Sequence, residues 1–119
     1  MVGMMRRGEV WVGNLNPNRG AEVGKIRPVV VLQSDRVSSL GINTVIVLPT
    51  TTQVREVLRP LRVTIPARDR LRRTCQVMVD QPRTLDRQRF GTGPLTTLTA
   101  EEMATVERRL LAVMGVVTG

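Results

Sequence analysis

Short β-branched runs, each stopped by proline, asparagine or glycine, divide this chain. Runs of that length suit strands, which average about five or six residues, better than helices of three or four turns. Glu9 to Leu15 alternates polar and apolar residues, with Val10, Val12 and Asn14 on one face and Trp11 on the other; Asn16-Pro17-Asn18 ends it. Pro28 to Gln33 is valine-rich and predicts a central strand, with Pro28 at its first position, where a missing donor does least harm. Thr44 to Leu48, Leu61 to Ile65 and Cys75 to Val79 predict further strands, closed by Pro49, Pro66 and Asp80-Gln81-Pro82. A short strand and a helical turn are expected within Arg83 to Phe90, and another helical turn within Ser34 to Leu40. Residues 18–26 and 54–60 read as loops, and Ala67 to Arg73 as a charged connection.

The period changes near the end. Thr99 to Met114 predicts a helix, with Thr99 as N-cap and Glu102 three residues on, the pattern of a capping box. Met103, Val106, Leu110, Val113 and Met114 share one face at helical spacing, and that stripe is expected to pack on the sheet. Arg108 and Arg109 sit in the second half, where cations suit the helix dipole. Five or six short strands, a closing helix and no βαβ alternation predict a mainly β fold with appended helices (α+β). The expected form is a partly open antiparallel barrel with a C-terminal helix. A chain of 119 residues is most simply one domain, 1–119.

Composition narrows the chemistry. Lysine and arginine total 18 against 10 acidic residues, a net charge of +8, and Lys25 is the sole lysine. Residues 55–89 hold ten arginines against four acids. Such a field attracts a polyanion. An arginine-rich proteome produces the same count, so charge alone does not name the partner. Histidine is absent, which excludes a Ser-His-Asp triad and acid–base work by a histidine pair. Zinc is not expected without histidine and with Cys75 as the only cysteine, and no other cofactor is implied. That lone cysteine fits a reducing compartment. No apolar run approaches the roughly 20 residues a bilayer demands. Met1 to Met5 precedes Arg6 and Arg7 and is not followed by a long apolar segment, so no signal peptide is expected and the predicted location is the cytoplasm.

The stretch from Arg7 to Leu32 holds the strongest chemical signal. A glycine-flanked loop carries Glu22, Lys25 and Arg27 and runs into the valines. An arginine at the margin of a core can present a fixed guanidinium to a phosphate. Thr50, Thr51 and Thr52 stand just past another strand end. If those two strands are neighbours, Arg27 and one threonine converge. A guanidinium can stabilise the phosphorane formed when an RNA 2′-oxygen attacks its own phosphate, and a hydroxyl can position it. Arginine is a poor general base, and Glu22 is the nearest carboxylate to take the proton. The residues equally allow a plain ion pair from Arg27 to Glu22 or Glu9, and an ordinary threonine-rich strand end.

Three motifs break that tie. Arg7-Gly8-Glu9-Val10-Trp11 leads to Gly20-Ala21-Glu22 and then Arg27-Pro28; Pro49-Thr50-Thr51-Thr52-Gln53 follows; Asp80-Gln81-Pro82-Arg83-Thr84-Leu85-Asp86 is third. In that order and at those separations, the chain resembles MazF/PemK-type toxins of bacterial toxin–antitoxin systems, from Arg7 to about Val113. The resemblance implies an SH3-like barrel, a homodimer and a metal-independent, sequence-specific endoribonuclease that cuts single-stranded RNA, leaving a 2′,3′-cyclic phosphate and a 5′-hydroxyl. Matched motif to motif, the essential arginine is Arg27, the essential threonine Thr51 and the loop glutamate Glu22. By motif position, Asn16, Arg19, Lys25, Thr52, Gln53, Gln81 and Arg83 are candidates for RNA binding. In the resemblance, Val23 stands where glutamine is frequent and Lys25 where glycine is frequent; these departures bear on base recognition, and Lys25 is expected to add a phosphate contact. The implied protein partner is a MazE-like antitoxin whose acidic tail covers the RNA groove. The rival on the same fold is a CcdB-type gyrase poison, which acts by binding a protein. The motifs around Arg27 and Thr51, and a Gly115–Gly119 end without aromatic anchors, argue against it.

Overall fold

The computed structural model describes residues 5–116. The readings that rest on Met1–Met4 and on the last three residues lie outside that range. The elements run β1 (Glu9–Asn14), β2 (Ile26–Val31), α1 (Asp35–Ser38), β3 (Thr44–Thr51), β4 (Arg62–Ile65), β5 (Cys75–Met78), β6 (Arg83–Asp86), β7 (Thr96–Thr97) and α2 (Ala100–Val113). Every pairing between these strands is antiparallel, in the order β4-β5-β3-β2-β1-β7, with β6 also on β3. The result is the expected partly open barrel, curled around two apolar clusters and closed by α2.

Both faces of β2 are buried, which is why its valines run without alternation. Val30 joins Val10, Leu48, Val63, Ile65, Val77, Met103 and Val106 on one side. Val29 and Val31 join Trp11, Leu15, Val45, Val47, Leu85 and Phe90 on the other. Val10 and Trp11 thus fall on opposite faces of β1, as the alternation requires. The two aromatic residues are both core side chains.

Several boundaries differ from the sequence reading, each for a local reason. β2 begins at Ile26, so Arg27 is a strand residue and Pro28 is third, not first. Proline is tolerated there because the β2–β3 ladder stops at Val29↔Pro49, and the Thr50 hydroxyl donates to the Pro28 carbonyl at 2.7 Å. β3 continues through Pro49 to Thr51 rather than stopping before it. Along one edge it pairs with β6 as far as Val47 and with β5 from Thr50, so Pro49 falls where the partner changes and no donor is required. Glu56–Leu61 forms a 3₁₀ segment where a loop was expected, and the short β7, which pairs with Glu9 and Val10, was not anticipated.

Helix α2 carries the anticipated capping box: the Thr99 hydroxyl accepts from Glu102 N, and the Glu102 carboxylate accepts from Thr99 N. Its apolar stripe is only half used. Met103 and Val106 are buried and Leu110 is partly so, whereas Val113 and Met114 are exposed because the helix runs past the sheet. No helix among the described residues is long and apolar enough to cross a membrane.

Candidate active site

Sheet register brings the two sequence motifs together. β2 and β3 are neighbours, last paired at Val29↔Pro49, and just beyond that pair Arg27 and Thr51 line one cleft. Arg27 pairs across the other ladder with Gly13, which has no side chain to cover it. Its Nε donates to the Gly24 carbonyl and its Nη1 to the Thr50 carbonyl, each at 2.9 Å. The guanidinium is therefore tied to the peptide that precedes Thr51. Partial burial pulls the Arg27 pKa below the usual arginine value, but the side chain keeps its proton near neutral pH. Among the described residues no carboxylate pairs with it, so the ion pair allowed by the sequence is not formed. Glu9 instead accepts from Trp11 Nε1 and from Arg6 N.

The three threonines separate by role. Thr50 is buried and bonded to Pro28. Thr51 is half-buried at the strand end, and its hydroxyl accepts from Gln53 N at 3.1 Å. Thr52 and Gln53 are exposed just beyond.

Glu22 lies in the β1–β2 loop with one carboxylate oxygen accepting from Arg19 N at 3.0 Å, which leaves the other oxygen free. Gly24 is required here for space. A Cβ at that position would lie 2.5 Å from the Asn18 side-chain oxygen, and the Gly24 carbonyl is the one that holds Arg27. Lys25 has a φ of 73°, the left-handed conformation that favours glycine. The lysine therefore stands on a backbone that a glycine would adopt without strain.

An open cleft of about 770 Å³ contains Glu22, Lys25, Arg27, Thr51, Thr52 and Gln53. Five arginines that the sequence reading did not single out also line it: Arg55, Arg62, Arg70, Arg72 and Arg73. The wall holds seven cations and one carboxylate, a field that draws phosphate. The available signal was the arginine density from residue 55 on; what was missing was the tertiary folding that sets β4, the segment before it and the β4–β5 connection beside Arg27. Cys75 also borders the cleft, but burial raises its thiol pKa and leaves it a core group.

Four of the motif-derived candidates are not brought to this cleft. Arg83 Nη1 donates to the Leu15 and Val23 carbonyls at 2.9 and 2.8 Å and braces the β1–β2 loop. Asn16 accepts from Lys25 N at 2.8 Å within the same loop. Arg19 is exposed on that loop and Gln81 is half-buried in the turn after β5.

A barrel with a cation-lined cleft and an arginine and a threonine at two adjoining strand ends is suited to holding a phosphate. Comparison with known proteins makes the class specific: residues 6–114 match the PemK-like, MazF-like toxins of type II toxin–antitoxin systems, and the chain belongs to that family. It is 33% identical over 112 residues to endoribonuclease MazF9 of Mycobacterium tuberculosis, covering 90% of this chain and 93% of that protein. The crystal structure of MazF from Deinococcus radiodurans superposes with a TM-score of 0.81 at 24% identity, covering 96% of this chain and 99% of the other. A MazE–MazF structure from the same organism superposes with a TM-score of 0.76 at 25% identity, covering 97% and 100%. Membership in the MazF-like toxins does not favour the CcdB-type reading.

Proposed function

We propose that this toxin is a sequence-specific endoribonuclease that cuts single-stranded RNA, mRNA included, in the cytoplasm, with no metal or cofactor, as a single domain over 1–119. The observation that carries the reading is the guanidinium of Arg27, held by the carbonyl before Thr51 and, among the described residues, paired with no carboxylate, inside a cleft of seven cations and one carboxylate. The 2′-oxygen forms a bond to its own phosphorus, and the bond from phosphorus to the 5′-oxygen breaks. The products are a 2′,3′-cyclic phosphate and a 5′-hydroxyl. Arg27 stabilises charge on the phosphorane, where a fixed, part-desolvated cation is worth most. Thr51 holds the phosphate or the adjacent 2′-hydroxyl. Glu22 takes the 2′-proton through its free oxygen, directly or through water, and water protonates the 5′-oxygen.

Lys25, Thr52 and Gln53 border the reacting pair and contact RNA directly. Asn16 and Arg83 serve recognition by holding the β1–β2 loop in shape, and Arg19 and Gln81 contact RNA outside the cleft. A homodimer and a MazE-like antitoxin with an acidic tail complete the assembly; the basic cleft suits such a tail. The test is Arg27→Ala. Cleavage should fall by about two orders of magnitude or more, the usual scale for losing a key transition-state donor. Far-ultraviolet circular dichroism should show the sheet retained. A folded variant with wild-type cleavage would remove Arg27 from the mechanism.

A further inference from the structure

The connection between β4 and β5 is built as a fixed arm. Arg68 and Leu71 exchange backbone hydrogen bonds around a tight turn with Asp69 at a φ of 52°, and Leu71 is a core residue. Arg70 N donates to the Leu95 carbonyl. The Arg68 guanidinium grips Glu102 of α2 through two bonds of 2.9 and 2.6 Å, with further bonds to Thr96 and Thr97. Arg70, Arg72 and Arg73 of this arm are exposed, and among the described residues their guanidinium groups make no hydrogen bond or ion pair. All three line the same cleft as Arg27 and Thr51.

We infer that this arm is a phosphate-binding subsite for the RNA strand that flanks the cut, an inference that rests on the ribonuclease reading above. Three unpaired cations on a preordered backbone bind phosphates with little further loss of backbone freedom. With both aromatic side chains in the core, stacking on aromatic rings is closed to the protein, so holding the strand falls to backbone contacts of this kind. An RNA strand is favoured over an acidic peptide because the arm and the reacting pair share one continuous cleft. A strand engaged at Arg27 is thereby delivered to the arm.

The test compares the wild type with R70Q/R72Q/R73Q on oligoribonucleotides extended one nucleotide at a time on either side of a mapped cut. For the wild type, KM should fall as the flank reaching the arm grows. The variant should lose that gain, with KM on long substrates raised roughly tenfold to a hundredfold and kcat little moved. Its salt dependence of binding should be shallower by about 0.7 log units per log unit of salt for each phosphate that the arm no longer neutralises. An equal deficit at every length, or one confined to kcat, would overturn the subsite. So would wild-type behaviour toward RNA combined with weakened binding of polyglutamate, which would assign the arm to an acidic protein partner. If the wild type cuts none of these RNAs, the ribonuclease reading itself fails. Binding of the same oligonucleotides then decides the arm alone: an altered salt slope supports it, and an unaltered one overturns it.

Discussion

Arg27 is held by two carbonyls instead of a carboxylate, and this leaves its charge available to a substrate. Its position was legible because the motif sets an arginine against an apolar strand, and register does the rest. The posture of Glu22 was not legible, since a contact with the Arg19 amide is fixed by loop geometry rather than by residue type. The same is true of Asn16 and Arg83, whose polar atoms are spent on backbone groups of the loop. Lys25 offers a sharper test at this scale. A non-glycine residue in the left-handed region costs roughly 1–2 kcal/mol, so Lys25→Gly should stabilise the fold by up to about 1 kcal/mol once the entropy of the unfolded glycine is subtracted. Urea denaturation should show a higher midpoint at unchanged slope. A lower midpoint would mean that the lysine side chain stabilises the loop by more than its backbone strains it.

Elements with local signals were read well, and those defined by distant partners were not. The capping box of α2 spans three residues and was visible in Thr99 and Glu102. That the Glu102 carboxylate also receives Arg68, 34 residues away, has no trace in local sequence. Strand β7 is two residues long and exists only because β1 lies beside it, and β3 outruns its proline because its partner changes there. The Arg68 guanidinium is the largest cause that holds the Glu102 carboxyl below the usual range. A carboxyl with a lowered folded pKa stabilises above its unfolded pKa, and that contribution disappears as pH falls through the lowered folded value. Glu102→Gln should therefore reduce stability by about 1–3 kcal/mol near neutral pH, where a charge-assisted pair in a part-buried site is removed. The gap between wild type and variant should close on acidification through the carboxylate range. Thermal unfolding across that range checks it, and a gap independent of pH would mean that the ion pair contributes nothing.

At the scale of the whole molecule, the fold gathers arginines from β2, β4 and the β4–β5 connection into the cleft beside Thr51. The mainly antiparallel barrel and its closing helix were legible, because short β-branched runs with short connections leave few other ways to bury apolar faces. The cleft was only half legible: strand ends named Arg27 and Thr51, but the contribution of the β4–β5 arm arises from tertiary folding. Membership in the MazF-like toxins and the cationic lining of the cleft converge on RNA. The decisive measurement is incubation of the purified toxin with a long, varied RNA in excess EDTA, followed by mapping of the 5′ ends of the products. Discrete fragments that carry 5′-hydroxyl ends and share a sequence at the cut are the predicted result. Intact RNA from well-folded protein, or cleavage that appears only when a divalent metal is restored, would contradict the account.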